Sequence, residues 1–200
     1  VLMYLGLIGV FLGIMYTGFL KLAYNGLGDL AVFIGFGPLM VYGAAYMQNQ
    51  SVDPLTTLLF SIPVGIFIAL VLFINCFQDY NADKAANKNS WVVRLAGPGA
   101  KANYRAPFKV WKNLMILSFT IILGASLYSG NLFTLIALLP LLIFNFASKK
   151  GSSLLEQWEK EDANLQQLPY ELLIVNVSTI GIHFLTGMLL TFGFLLSTWI

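Results

Sequence analysis

Apolar residues fall in long unbroken runs separated by short polar breaks, and the length of the runs predicts the elements. Six runs stand out: roughly 1–19, 30–48, 55–77, 111–129, 131–148 and 171–197. Each is near the ~20 residues that a helix needs to cross a hydrocarbon core of about 30 Å. Runs this long predict helices rather than barrel strands, because a helix satisfies its own backbone hydrogen bonds in lipid. The breaks lie at 20–29, 49–54, 78–110, about 130, and 149–170. Pro38 and Pro63 fall inside runs and predict kinks that neighbouring helices re-satisfy, and Gly35, Gly37 and Gly43 suit close helix packing. In the last break Ser153-Leu154-Leu155-Glu156 has the pattern of a capping box, and Leu154, Leu155, Trp158 and Leu165 fall near one helical face. A short interfacial helix ending near Pro169 is the expectation there. The fold class is thus all-α, a multi-pass transmembrane bundle with six spans.

Composition agrees. The chain is 58% hydrophobic and only 10% charged, with mean hydropathy +0.78, whereas ordinary soluble domains carry about 25% charged residues. The lipid bilayer is therefore its first partner, and no nucleic-acid partner is expected. The net charge of +2 says less than where the charges sit. All 11 Lys and Arg lie in the first, third and fifth breaks or at their edges: Lys21; Lys84, Lys88, Arg94, Lys101, Arg105, Lys109 and Lys112; Lys149, Lys150 and Lys160. The other two breaks hold none. Positive charge marks the cytoplasmic side, so the odd loops are expected in the cytoplasm and the C-terminus outside. One cysteine, Cys76, excludes an internal disulfide. The first residue is Val1, inside an apolar run with no charged leader, which is not a signal-peptide pattern. The expectation is the back part of a longer protein.

The chemistry gathers where the third run meets the longest polar break, at Asn75-Cys76-Phe77-Gln78-Asp79-Tyr80-Asn81-Ala82-Asp83-Lys84. On a helix, steps of four residues rotate a side chain by only about 40°, so Asn75, Asp79 and Asp83 predict a ladder on one face. Oxygen ligands one turn apart suit Mg²⁺, which keeps waters and takes phosphate oxygens as further ligands. Lys84, Lys88 and Arg94 follow within reach of an anion. Carboxylates at a helix end often serve only to solvate it, and lysines after a span often only anchor it; an acid ladder followed by a basic cluster favours function instead. Tyr16, Lys21 and Asp29 collect at the same end and read as one wall of a pocket. The acids Glu156, Glu159, Glu161 and Asp162 read as a solvated face. His183 reads as an interhelical hydrogen-bonding residue, and Asn176 faces the same choice. No P-loop or Gly-rich dinucleotide fingerprint is present.

The run Asn75…Asp79…Asp83 followed by Lys88, Ser90 and Val92-Val93-Arg94-Leu95 resembles the second aspartate-rich motif of the UbiA superfamily of intramembrane prenyltransferases. It is most similar to the branch that prenylates 1,4-dihydroxy-2-naphthoate in menaquinone synthesis. There the motif commonly continues Gly-Lys-x-Thr-Leu-Val-Val-Arg-Leu-Gly, against Asn87-Lys88-Asn89-Ser90-Trp91-Val92-Val93-Arg94-Leu95-Ala96 here. Tyr16-Thr17-Gly18 with Gly26-Leu27-Gly28-Asp29-Leu30, and Asn176-Val177 with His183, are similar in pattern too. Such proteins have nine spans and a first aspartate-rich motif between the second and third. The six spans here match the fourth to ninth, so the resemblance implies that residues 1–200 form a single prenyltransferase-like domain lacking the N-terminal three helices.

The implied activity is Mg²⁺-dependent transfer of a polyprenyl group from an isoprenoid diphosphate to an aromatic acceptor, in a bacterial plasma membrane. Asp79 and Asp83 would hold the metal with Asn75 as auxiliary ligand. Lys88, Arg94 and Lys21 would contact the diphosphate, and Tyr16 would stabilise an allylic cation through its ring face. Other acceptors of the superfamily (4-hydroxybenzoate, homogentisate, chlorophyllide, haem) remain open. So does a non-catalytic or transport bundle, although the paired broken helices of a transporter are not visible.

Overall fold

A computed structural model describes residues 1–97, 103–160 and 168–199, and the described residues are helical without strands. The helices are α1 (Leu2–Thr17), α2 (Gly28–Ile34), α3 (Met40–Gln48), α4 (Pro54–Gln78), α5 (Tyr80–Ala85), α6 (Trp91–Ala96), α7 (Arg105–Ser129), α8 (Leu141–Lys160), α9 (Leu168–Glu171) and α10 (Leu173–Ser197). A π-helical turn, Gly35–Leu39, joins α2 to α3, and a 3₁₀ helix, Leu132–Leu138, leads into α8. Among the described residues five segments are long and apolar enough to cross a bilayer: Gly28–Gln48, Pro54–Gln78, Arg105–Ser129, Leu132–Glu159 and Leu173–Ser197. The sixth apolar helix, α1, has 16 residues.

α4 is the axis of the bundle. Asp53 starts it by accepting hydrogen bonds from the backbone N–H of Thr56 (2.9 Å) and Leu55 (3.4 Å), with Pro54 in the first turn, where a missing N–H costs nothing. Its buried side chains include Phe60, Phe67, Leu70, Phe73, Ile74 and Phe77, and α7 and α10 pack against it. At 25 residues α4, α7 and α10 are each about 37 Å long, so each overshoots a core of ~30 Å and carries its ends into the polar layers. Lipid is as apolar as the side chains, so burial of apolar area does not drive these contacts; close approach and a few polar bonds do. Gly37 in the π turn meets Gly65 of α4 so closely that a Cβ on Gly37 would lie 2.7 Å from the Gly65 Cα. Trp111 of α7, fully buried, donates its indole N–H to Thr179 of α10 at 3.2 Å. At one end the rings of Phe77, Tyr80 and Trp158 pack around that of Tyr104, with centroids 5.4–5.7 Å apart, and tie α4, α5 and α8 to the start of α7.

Four expectations change. The polar stretch 149–170 does not begin a separate interfacial helix. Ser153 lies inside α8, which runs unbroken from Leu141 to Lys160, because Leu154, Leu155 and Trp158 find a buried seam and extend the helix past the capping-box pattern. Leu165 and the acids Glu161 and Asp162 lie outside the described residues, and Glu159 is paired with Arg105. Of the three glycines expected at helix contacts only Gly37 makes one: beside Gly35 nothing lies within 4 Å, and beside Gly43 only a Leu5 methyl, at 3.8 Å. Pro38 produces the π turn, whereas Pro63 sits in α4 without interrupting it. His183 Nδ1 is buried with no hydrogen-bond partner among the described residues, so it does not bridge helices through that atom. It lines an open, mostly apolar groove with Phe184, Gly187, Met188 and Thr191.

Candidate active site

The ladder survives a break in its helix. α4 ends at Gln78 and α5 begins at Tyr80, with Asp79 between them at φ −85°, ψ 0°. The backbone N–H of Asp79 still reaches the Asn75 carbonyl (3.2 Å) and that of Asp83 the Asp79 carbonyl (2.7 Å), so the three residues keep one-turn spacing. Their surroundings differ. Asp79 is exposed, Asn75 is half-buried, and Asp83 is only 6% exposed. Asn75 Oδ1 accepts a hydrogen bond from the Asn176 side chain of α10.

Asp83 is held by the turn that follows it. Asn87 adopts a left-handed conformation (φ 54°), and the N–H groups of Asn87 and Lys88 return to the carbonyls of Lys84 (3.2 Å) and Asp83 (2.8 Å). This is the Schellman arrangement of a helix end. It brings the Lys88 ammonium back to Asp83 Oδ1 at 3.0 Å. Burial opposes the charge on Lys88, but the hydrogen bond and the charge of Asp83 outweigh it and raise its pKa above the ordinary value. The other oxygen, Asp83 Oδ2, is buried without a hydrogen-bond partner among the described residues, an arrangement that costs free energy unless something else fills it.

Ser90 then caps α6, accepting from the Val93 N–H, and α6 lays its residues over the connector 18–27. Asn89 N–H donates to the Tyr24 carbonyl (2.9 Å) and the Trp91 indole to the Gly26 carbonyl (2.6 Å). Arg94 donates to the carbonyls of Asn89 (3.0 Å) and Asn25 (2.7 Å). Gly26 is left-handed (φ 71°), and a Cβ there would lie 2.7 Å from the Arg94 guanidinium. The stapled connector delivers Asp29, at the start of α2, to the cluster. Asp29 Oδ1 is also buried without a hydrogen-bond partner among the described residues. Its carboxylate lies within electrostatic range of Lys88, and both lie within range of Tyr16 and Cys76.

The structure therefore brings Asp83, Lys88, Tyr16 and Asp29 to one end of the bundle, with Asp79 in electrostatic range of Lys88. Arg94 lines a cleft of about 270 Å³ with Lys84 and Lys88, but two of its N–H groups are spent on backbone carbonyls. Lys21 is exposed in the connector (φ 47°) and forms no ion pair among the described residues. Asn176 was legible as a polar residue in an apolar run and through the pattern Asn176-Val177, but not as the partner of Asn75. The docking of Asn89, Trp91 and Arg94 on residues 24–26 had no sequence signal, because it joins segments about 65 positions apart.

No three His, Cys, Asp or Glu among the described residues converge as a metal cluster. The donors present nonetheless fit a hard cation that takes one or two carboxylates and completes its shell from water and phosphate: the set is all oxygen, and Asp83 Oδ2 is a buried carboxylate oxygen in need of a partner. Two apolar hollows flank α2. One of about 560 Å³ lies against α1, lined by Gly9, Gly13, Tyr16, Ala31, Gly35 and Phe36 among others. The other, of about 240 Å³, lies against α4 and has Asp29 and Trp91 in its wall. A wider cleft of about 890 Å³ occupies the opposite end of the bundle, but its one acid, Asp53, is committed to capping α4.

Fold and site together define a multi-pass helical membrane protein with a part-buried acid–lysine cluster at one end and apolar hollows along its helices. The chain belongs to the UbiA prenyltransferase family, whose pattern it matches over residues 1–166. It is 34% identical over 155 residues to a 1,4-dihydroxy-2-naphthoate octaprenyltransferase of Haemophilus influenzae, covering 75% of this chain and 49% of that protein. The Escherichia coli protein of the same name is 35% identical over 140 residues, 70% of this chain and 44% of the relative. A 2-carboxy-1,4-naphthoquinone phytyltransferase of Synechocystis is 43% identical over 89 residues, 44% of this chain and 29% of the relative. The chain thus spans about half or less of the length of these curated relatives. No solved structure gives a significant match.

Proposed function

We propose that this chain is part of an enzyme that transfers a polyprenyl group from an isoprenoid diphosphate to a hydroxylated aromatic acceptor of the dihydroxynaphthoate kind, in lipid-quinone synthesis. The observation that carries the reading is the part-buried Asp83–Lys88 pair, whose acid keeps one buried carboxylate oxygen unpartnered among the described residues, at a bundle end that also holds Tyr16 and Asp29. Membership of the family and the names of its relatives support the chemistry.

Asn75, Asp79 and Asp83 would hold Mg²⁺. When bound, the ion neutralises charge on the departing diphosphate and so eases ionisation of the allylic C–O bond. Lys88, fixed by Asp83, presents an ammonium to the same phosphate oxygens, and the remaining N–H groups of Arg94 extend that grip from the cleft the two share. Lys21 stands further out, as a surface charge that attracts the anionic donor. Tyr16 offers its ring face to the allylic cation. The hollow between α1 and α2 begins at Tyr16 and continues along Gly13 and Gly9, where a prenyl tail finds an apolar bed open to lipid. The charged loops face the cytoplasm by the distribution of Lys and Arg, where soluble diphosphate donors are made available.

The test is turnover in membranes carrying the full-length protein. Diphosphate release from an allylic donor is expected to require both Mg²⁺ and a dihydroxynaphthoate acceptor. Release without acceptor, or undiminished after Mg²⁺ is chelated, contradicts the reading.

A further inference from the structure

The cleft of about 890 Å³ lies at the end of the bundle away from the acid–lysine cluster, and the proposed transfer gives it no task. Its size falls within the roughly 300–1,000 Å³ of sites that take small molecules. It is lined by α3, α4, the turn after α7 and the end of α10, and its surface changes character with depth. Gln48, Asp53, Asn131 and Ser197 sit at the helix ends and make a polar rim. Val41 in α3 and Phe60 in α4 lie about two turns further in, roughly 10 Å along the helix axes. There the Phe60 ring meets that of Phe194 edge to face, with centroids 5.0 Å apart, and makes the depth of the cleft apolar.

A polar rim over apolar walls, running from a membrane surface toward the bilayer centre, matches a membrane lipid with its headgroup at the helix ends and its acyl chains beside the spans. Charge narrows the headgroup. No Lys or Arg lines the cleft, and none lies in the breaks at 49–54 and about 130, so an anionic headgroup finds no counter-charge here. The rim carries one acid, Asp53, which is exposed. The hydrogen bonds it accepts from Thr56 hold its carboxyl below the ordinary carboxylate value, so it is charged at neutral pH. Capping α4 does not exhaust it, because a carboxylate has about four acceptor positions. Gln48, exposed at the same rim, carries a carboxamide whose N–H groups suit a phosphodiester.

We infer that this cleft is a phospholipid site selective for a headgroup with a primary ammonium, as in phosphatidylethanolamine. The ammonium meets Asp53, the phosphodiester meets Gln48, and the acyl chains run along Val41, Ala45 and Phe60. The site stands independently of prenyl transfer.

The experiment reconstitutes the purified full-length protein in vesicles of equal parts phosphatidylethanolamine, phosphatidylcholine and phosphatidylglycerol with matched chains. The protein is then extracted in detergent, and retained lipid is read by native mass spectrometry. The lipid of the cleft is the part lost in Ala45→Phe, which fills the cleft from α3. That part is expected to favour phosphatidylethanolamine over phosphatidylcholine by roughly two- to fivefold, the range of an exposed ion pair, since choline keeps the charge but has no N–H. Asp53→Asn retains the helix cap, asparagine being as good a cap as aspartate, and should bring the two lipids level. Phosphatidylglycerol held at the Lys- and Arg-bearing end should be the same in both variants as in wild type. Glycerophosphoethanolamine, which has the head without the chains, should displace nothing; displacement by it would mean a site for soluble amines and overturns the lipid assignment. Equal loss of all three lipids in Ala45→Phe, or an unchanged preference in Asp53→Asn, also overturns the inference. So does the absence of any lipid that Ala45→Phe removes, the result expected if another segment of the full-length protein fills the cleft.

Discussion

Lys88 is the residue on which the charged cluster turns. It meets Asp83 at 3.0 Å and lies within range of Asp79 and Asp29, so one ammonium faces three carboxylates. Lys88→Met leaves the buried Asp83 without its partner and is expected to lower stability by about 2 kcal/mol, read as a fall in the thermal midpoint in detergent. The pH dependence follows from the direction of the Lys88 shift. Its folded pKa lies above the ordinary 10.5, so the pair's contribution is complete below that pH and is lost only as pH rises through the raised value. Between about pH 6 and 9 the difference between wild type and Lys88→Met should therefore be flat; a difference that vanishes inside that range would mean that Lys88 is not the charged partner. Residue identity made this pair partly legible. Asp83 and Lys88 stood out as an acid followed by a base, but what joins them is the left-handed turn at Asn87. That position is glycine in the motif this segment resembles, and asparagine is the other residue that adopts the conformation cheaply.

Helix-scale structure was read well wherever length alone decided it, and poorly wherever packing did. The apolar runs marked α4 and α10 to within two residues at each end and α7 at Ser129, because a span must cross a fixed thickness, but α7 begins six residues before its run, at Arg105. The α8 boundary failed because a local capping pattern was outweighed by a buried seam of Leu154, Leu155 and Trp158. Gly65 carried no signal at all, yet it is the point where α4 meets the π turn: a Cβ there would lie 2.7 Å from the Phe33 carbonyl oxygen and 2.9 Å from the Gly37 Cα. Both neighbours are backbone and cannot yield. Gly65→Leu should push α2 and the π turn away from α4, at a cost of about 1–3 kcal/mol. Because α2 carries Asp29 to the cluster, turnover should fall along with the thermal midpoint, whereas Gly124→Ala in α7, beside open space, should change neither.

For the whole molecule, the helix order brings the connector 18–27, the segment 79–97 and the end of α8 to one end of the bundle, and leaves the turn at 49–53 and Asn131 at the other. All 11 Lys and Arg belong to the first end by sequence, so that end is expected in the cytoplasm. With Cys76 replaced by alanine, a cysteine introduced at Asn87 should react with a membrane-impermeant maleimide only after the cells are opened, and one at Gln48 in intact cells. The reverse pattern would place the charged cluster outside and leave it without access to a cytosolic donor. The architecture could be read from composition and the polar ladder from spacing. The two hollows beside α2 could not, since they arise from how α1, α2 and α4 lean on one another.

The most direct test of the central claim is diphosphate release by Asp83→Ala and Asp79→Ala, measured in membranes with Mg²⁺, an allylic donor and the acceptor all saturating. Removing either oxygen ligand should slow release by about a hundredfold or more, with the protein still inserted at wild-type levels. Full turnover by both variants would contradict the account.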